Sequence, residues 1–288
     1  MAKGKRRKTP ISQASTSHPS SSRPQASRNV IRKFHVLIKS QKQLNSKQSL
    51  TASENEELMK INKEIDDLGG LEWYQRMSIV GQGNDRGGGS EKIFIGWLTD
   101  LEVHKVRQEP LQLLEVGALK PDNYRSCTTW IKNTPIDLRS QHPDIQEQDF
   151  LLLDPVQHEN KWDVVSLSLV VNFVPDSRDR EQFEGRMLRL ANVIIKDNGF
   201  LFLALPLPCL ANSRYMSFEH LNRLMGALGF LELKRRWKEG GKMAYWLYQK
   251  QRKPQTQDFE PFTKKIILRN GNRNNFNILL PRRYSPLH

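Results

Sequence analysis

The chain has 288 residues, enough for one large domain with tails. Two cysteines and seven histidines without ligand spacing exclude a disulfide framework and give no metal site, and the longest apolar run, Phe200 to Ala211, is broken by Pro206 and Pro208 and too short for a bilayer. The formal charge of +14 is uneven: residues 1–50 hold 12 Lys and Arg and no acid, residues 251–288 hold 8 against 2 acids, and residues 51–250 are left at −4. That is the pattern of a mildly acidic body with cationic arms that bind polyanions, not of a uniformly basic coat protein.

Residues 1–30 are Ser, Pro, Gln and basic residues, without an apolar signal-peptide core. They are expected to be disordered. Within them Lys3-Gly-Lys5-Arg6-Arg7-Lys8 reads as a nuclear or nucleolar address. The leader is expected to run to residue 50.

From Thr51 the character changes. Ser53 followed by Glu54, Glu56 and Glu57 predicts a helix start. Leu58, Ile61, Ile65 and Leu68 form one apolar stripe, and Gly69-Gly70 stops it. A second helix carries Trp73, Tyr74 and Met77. A glycine-rich loop with Arg86 follows, placed to close over a ligand or bind a phosphate. Ser90 is expected to cap a third helix bearing Phe94, Trp97 and Leu98. These helices make up a region of residues 51–100.

Residues 101–250 then alternate. Strands are predicted at Leu111–Val116, Thr128–Ile136, Phe150–Leu153, Trp162–Leu169 and Phe200–Leu205. Helices fall at 179–195 and Phe218–Leu228, with a turn at Asp197-Asn198-Gly199. A hairpin of Phe230–Trp237 and Met243–Gln249 ends the run. The expected fold is α/β: a mostly parallel, Rossmann-like seven-stranded sheet with a C-terminal antiparallel hairpin, preceded by a small helical region. In residues 251–288, a basic extension, Lys264–Leu268 and Phe276–Leu280 are expected to pair as a further hairpin.

The chemistry concentrates at the strand ends. Glu115 and Gly117 close the first strand, and Asp137 closes the second, 20 residues after Gly117. In doubly wound folds the first turn approaches a nucleotide and the second acid holds its ribose hydroxyls. A carboxylate there replaces ribose hydration with charge-assisted hydrogen bonds. After Gly117 comes Ala118-Leu119-Lys120-Pro121, without the GxGxxG that admits a pyrophosphate. NAD and FAD are disfavoured, and a nucleoside ligand such as S-adenosylmethionine fits. Asp149 is placed to accept from an adenine amino group, with Phe150 packing on the ring. Ser168 to Phe173 are expected to line a substrate site. Asn172 and Phe173 are the catalytic candidates, and Phe173 and Trp97 are candidates to pack a target base. Pro206, Pro208 and Cys209 shape the neighbouring turn.

Together, Leu113-Leu-Glu115-Val-Gly117-Ala-Leu119, Ile136-Asp137-Leu138, Gln148-Asp149-Phe150-Leu151, the run Trp162 to Asp176 and Arg186-Met-Leu-Arg189 resemble one family. Arg86-Gly-Gly and Lys264-Lys with Asn274-Asn-Phe276 belong to the same resemblance, which covers about residues 50–280. It is the fungal 25S ribosomal RNA adenine-N1 methyltransferases, class I enzymes dependent on S-adenosylmethionine. The resemblance implies cofactor binding through Gly117 and Asp137. It implies methylation of an adenine N1 in large-subunit ribosomal RNA within nucleolar pre-ribosomes. Animal relatives resemble S-adenosylmethionine sensors that act through partner proteins, so the alternative is a non-catalytic sensing protein. A small-molecule methyltransferase is a third reading, which leaves the basic leader as an address only.

Overall fold

A computed structural model of the chain describes residues 33–70 except 35, 39, 42, 43, 46 and 48, and then 89–140, 142–172, 180–252 and 258–281. The basic address, the expected helix with Trp73, the glycine-rich loop with Arg86, and Phe173 to Asp176 lie outside the described residues.

Helix α1 spans Ala52–Asp67. Its cap is Thr51 rather than Ser53: Thr51 accepts from the Glu54 amide and Glu54 reaches back to the Thr51 amide. This capping box satisfies two backbone donors at once, which Ser53, two residues further in, would not. Ile61 and Ile65 of α1 are buried with Phe34, Leu37 and Leu44. The helical region therefore packs across the boundary expected at residue 50. Helix α2 is Glu91–Asp100.

The sheet follows from strands whose residues are apolar on both sides. In β1 (Leu111–Val116) all but Gln112 are buried, and in β4 (Trp162–Ser168) all but Ser168. Such strands need cover on both faces and belong at the sheet centre. The strand order is β3 (Gln146–Glu147), β2 (Ile131–Asp137), β1, β4, β5 (Ile195–Pro206), β7 (Met243–Lys250) and β6 (Phe230–Trp237). Strands β1 to β5 are parallel, β7 runs antiparallel to β5, and β6 antiparallel to β7 at the edge. On one face Leu114, Val116, Val165 and Leu203 meet α4 (Arg180–Ile194) and α6 (Phe218–Ala227). On the other, Leu111, Leu113 and Phe202 meet Phe94 and Leu98 of α2. Each buried side chain of this kind stabilises the fold by about 1.5–3 kcal/mol. Two short helices, α3 (Pro155–His158) and α5 (Pro208–Ala211), fill connections.

Several local expectations are corrected. Strand β2 is Ile131–Asp137, because the 3-10 turn at Arg125–Cys127 runs on into a turn over residues 128–130, where the strand was expected to start. Phe150–Leu152 is a 3-10 helix, not the third strand, because the Asp149 carboxylate accepts from the Leu151 amide and curls the chain. The third strand, β3, is only Gln146–Glu147. Strand β5 runs from Ile195 to Pro206, so Asp197-Asn198-Gly199 is a bulge within it. The register jumps there from Trp162 opposite Ile195 to Val164 opposite Phe200, and Asn198 has φ +61°.

No described strand pair forms in the C-terminal extension. Residues 258–281 make an irregular strap bridged to the β5 exit at Ser213–Asn274. The Leu268 amide donates to the Arg214 carbonyl and the Leu280 amide to the Phe262 carbonyl, so the two segments pair with other parts of the chain, and Arg269 adds bonds to the carbonyls of Leu210, Ala211 and Met216. The strap lies flat on α4 at Gly185, where an added Cβ would come within 2.0 Å of the Leu279 carbonyl oxygen.

Candidate functional site

In the order β2-β1-β4-β5 the strands are added outward to one side of β1 and then to the other, so the winding reverses between the parallel β1 and β4. In such sheets ligands sit beyond the carboxyl ends of the strands at that point. Five strand exits meet there, and with them most of the residues singled out from the sequence.

Gly117, at the β1 exit, has φ +74°. Its amide and that of Ala118 both donate to the Ile136 carbonyl, at 2.8 and 3.0 Å. A Cβ at this position would stand 2.7 Å from Cγ2 of Val170. The glycine is thus required by the chain itself, because the β4 exit closes against it. That exit is strained too: Leu169 has φ +60° while its amide donates to the Ala204 carbonyl. A left-handed non-glycine residue costs about 1–3 kcal/mol and clusters at ligand sites.

Glu115 is buried inside β1. Its two oxygens accept from Asn123 Nδ2 at 2.6 Å and Asn133 Nδ2 at 2.7 Å. It therefore ties β1 to β2 and to the following loop, rather than standing open to a ligand. Burial pushes its carboxyl up to about 7, against the opposing pull of the two amides and with a smaller push from Glu91. A folded-state value above the unfolded one means that its contribution is fully present below about pH 4.5 and is lost as the pH rises through 7. The wild-type melting temperature should therefore fall between pH 5 and pH 8. Glu115→Gln should flatten that fall; an unchanged slope would remove Glu115 as its source.

Asp137 ends β2 with a half-buried carboxylate. Its Oδ1 accepts from the Arg139 amide at 2.9 Å. Desolvation raises its pKa, and Glu147 on β3 adds to the rise. Leu138 beside it is 58% exposed, an apolar surface next to an acid at a strand end. Asp149 spends one oxygen on the Leu151 amide. Phe150 is buried in the main core, so its ring is turned from the edge, and Leu138 is the open apolar neighbour.

At the β4 exit Ser168 Oγ lies 2.6 Å from Ser90 Oγ. Ser90 makes no capping bond to α2, contrary to expectation, because its hydroxyl is turned to Ser168. The start of α2 is thereby fixed over the acceptor side of the crevice. Asn172 Oδ1 is buried without a hydrogen-bond partner among the described residues. An orphaned buried acceptor at a strand exit fits a site completed by a ligand donor. Trp97 is partly buried against Phe202, edge on at 6.1 Å. Tyr245 of β7, stacked on Phe202, reaches the same side and senses the charge of Glu91. Cys209 is chemically quiet, since burial, with a push from Glu184, lifts its thiol to about 12.

Ser90, Glu91, Asn123, Asn133 and Tyr245 escape the sequence reading. They reach the site from a preceding helix, a loop, a second strand and the last strand, and no local motif links them. Among the described residues no His, Cys, Asp and Glu group could hold a metal, and no helix is long and apolar enough to cross a membrane.

The family model described as "25S rRNA (adenine(2142)-N(1))-methyltransferase, Bmt2" matches residues 59–278. The chain is 34% identical over 254 residues to the 25S rRNA adenine-N(1) methyltransferase of Schizosaccharomyces pombe, covering 86% of this chain and 88% of that protein. It is 35% identical over 224 residues to the 25S rRNA (adenine(2142)-N(1))-methyltransferase of Saccharomyces cerevisiae, covering 76% of this chain and 63% of that protein. Among solved structures, an S-adenosylmethionine-dependent methyltransferase from Clostridium acetobutylicum aligns with a TM-score of 0.45 at 11% identity, over 62% of this chain and 99% of that chain.

Proposed function

The chain belongs to the 25S rRNA adenine-N1 methyltransferase family, and from that premise we propose that it methylates N1 of an adenine in large-subunit ribosomal RNA. The observation that carries the reading is the crevice between β1 and β4, with Asp137 on one side and the Ser168–Asn172 exit on the other.

The residues present fit S-adenosylmethionine. Asp137 would hold the ribose hydroxyls, and exposed Leu138 offers an apolar face to the adenine. The β1 turn lacks the glycines that a pyrophosphate needs. Asn172 Oδ1 awaits a donor. Glu115 acts one layer back, holding Asn123 and Asn133 and so the shape of the turn. When bound, the cofactor supplies a methyl group already activated on a sulfonium.

Adenine N1 is a neutral nucleophile at pH 7 with its lone pair in the ring plane. No proton need leave before attack, so the protein's task is alignment. Positioning of this kind can be worth roughly 7–11 kcal/mol. This accounts for a site that, among the described residues, has hydroxyls, an amide and a tyrosine but no acid–base dyad. N1 lies on the Watson–Crick edge, so the target must be unpaired or flipped out. The cationic leader and strap supply phosphate affinity, and Lys3 to Lys8 direct the protein to the nucleus and nucleolus, where the RNA is made.

The test is transfer of labelled methyl from S-adenosylmethionine to unmodified large-subunit RNA by the purified chain. Label in N1-methyladenine supports the reading. Cofactor binding without any methylated product would instead favour a sensing protein.

A further inference from the structure

The β6–β7 hairpin turns at the carboxyl edge of the sheet. Met243 stands opposite Pro206 at the end of β5, and the Leu207 amide donates to the Lys242 carbonyl at 2.7 Å. The tip, residues 238–242, therefore stands beside the crevice on the acceptor side.

An aromatic stack ends there. Trp237 lies on Phe218 with ring centres 4.9 Å apart and planes at 25°, and Phe218 in turn packs on buried Trp246. Trp237 is nevertheless 45% exposed. Around it Arg235, Lys238 and Lys242 are exposed, while Arg236, opposite Tyr245 in the register, is exposed on the other face of the strand. Arg235 sits over the Phe218 ring and pairs with Glu232. Among the described residues no carboxylate lies within ion-pair distance of Arg236, Lys238 or Lys242.

Edge strands often carry Lys and Arg to block pairing with other chains. That accounts for cations along β6. It does not account for a large indole held half in solvent on an aromatic support, nor for lysines in the turn beyond the strand. An exposed aromatic within a cationic rim is the chemistry that binds single-stranded nucleic acid: bases stack and phosphates pair.

We infer that the hairpin tip is the docking surface for single-stranded RNA flanking the target adenine, with a neighbouring base on Trp237 and its phosphates against Lys238 and Lys242. The inference rests on the RNA-methyltransferase reading and assigns that site its substrate-holding edge. The strand must be unpaired for the chemistry, and the same unpaired bases are free to stack.

The test uses the full chain and two probes, an unmodified large-subunit rRNA transcript and a single-stranded adenine-containing oligoribonucleotide. Trp237→Ala should weaken RNA binding roughly tenfold, with S-adenosylmethionine affinity unchanged, and Trp237→Phe should recover most of it. Lys238→Ala with Lys242→Ala should lower the slope of log affinity against log salt by about 1.4, at about 0.7 per phosphate released. If Trp237→Ala melts early, the lysine pair, exposed in the turn, carries the decision. Wild-type RNA affinity and salt slope in folded variants that still methylate would overturn the hairpin and leave the enzyme reading standing. A wild-type chain that neither binds nor methylates either RNA would overturn both.

Discussion

Asp137→Ala should lose S-adenosylmethionine binding and keep its fold. The carboxylate ends β2 half-buried, and among the described residues it accepts only from the nearby Arg139 amide. Two charge-assisted hydrogen bonds to ribose hydroxyls, at about 1.5 kcal/mol or more each, make the expected loss at least a hundredfold in affinity. Stability moves the other way. Desolvation raises the Asp137 pKa, so the charged form is disfavoured in the folded chain, and its contribution declines as pH rises through the folded value. Asp137→Asn should therefore melt at or slightly above the wild-type temperature at neutral pH while binding cofactor poorly. Calorimetric titration and thermal melting read the two effects apart. Unchanged cofactor affinity in a folded Asp137→Ala protein would move the ribose site elsewhere.

Gly117→Ala has the opposite profile: it damages the fold first. The residue has φ +74°, where an L side chain costs about 1–2 kcal/mol. The new Cβ would also stand 2.7 Å from Val170 Cγ2, an overpacking of about 1–3 kcal/mol. Together these predict a loss of about 2–5 kcal/mol, or about 4–20 °C in melting temperature for a domain of this size. Pushing Val170 away also displaces Leu169 and Asn172, so methyl transfer should fall more than cofactor binding. Val170→Ala removes the clashing methyl groups, so Val170→Ala combined with Gly117→Ala should recover part of the stability. No recovery would show that the left-handed backbone, not the contact, makes glycine necessary.

What could be read in the sequence was what spacing encodes. The apolar runs of β1 and β4 and the Gly117–Asp137 interval located the switch point, because a buried parallel strand and its exit are local patterns. The β6–β7 hairpin was legible for the same reason. β3 was not, since two residues leave no period and Asp149 diverts the next apolar run, Phe150 to Leu153, into a 3-10 turn. The bulge at Asp197-Asn198-Gly199 reads locally as a turn, and only pairing with β4 and β7 draws it into β5. Glu115 was found as a ligand candidate, but its partners Asn123 and Asn133 fix it as a brace within the chain. Ser90 was misread as a cap because its partner, Ser168, is 78 residues away. Trp237 gave no sign at all, since its exposure depends on Phe218 and on where β7 meets β5.

A map of N1-methyladenine across large-subunit ribosomal RNA, from cells with the chain, without it, and with Asp137→Ala in its place, decides whether this protein is the methylating enzyme. One adenine should be methylated with the wild-type chain and unmethylated in the other two. The same map in all three would contradict that role.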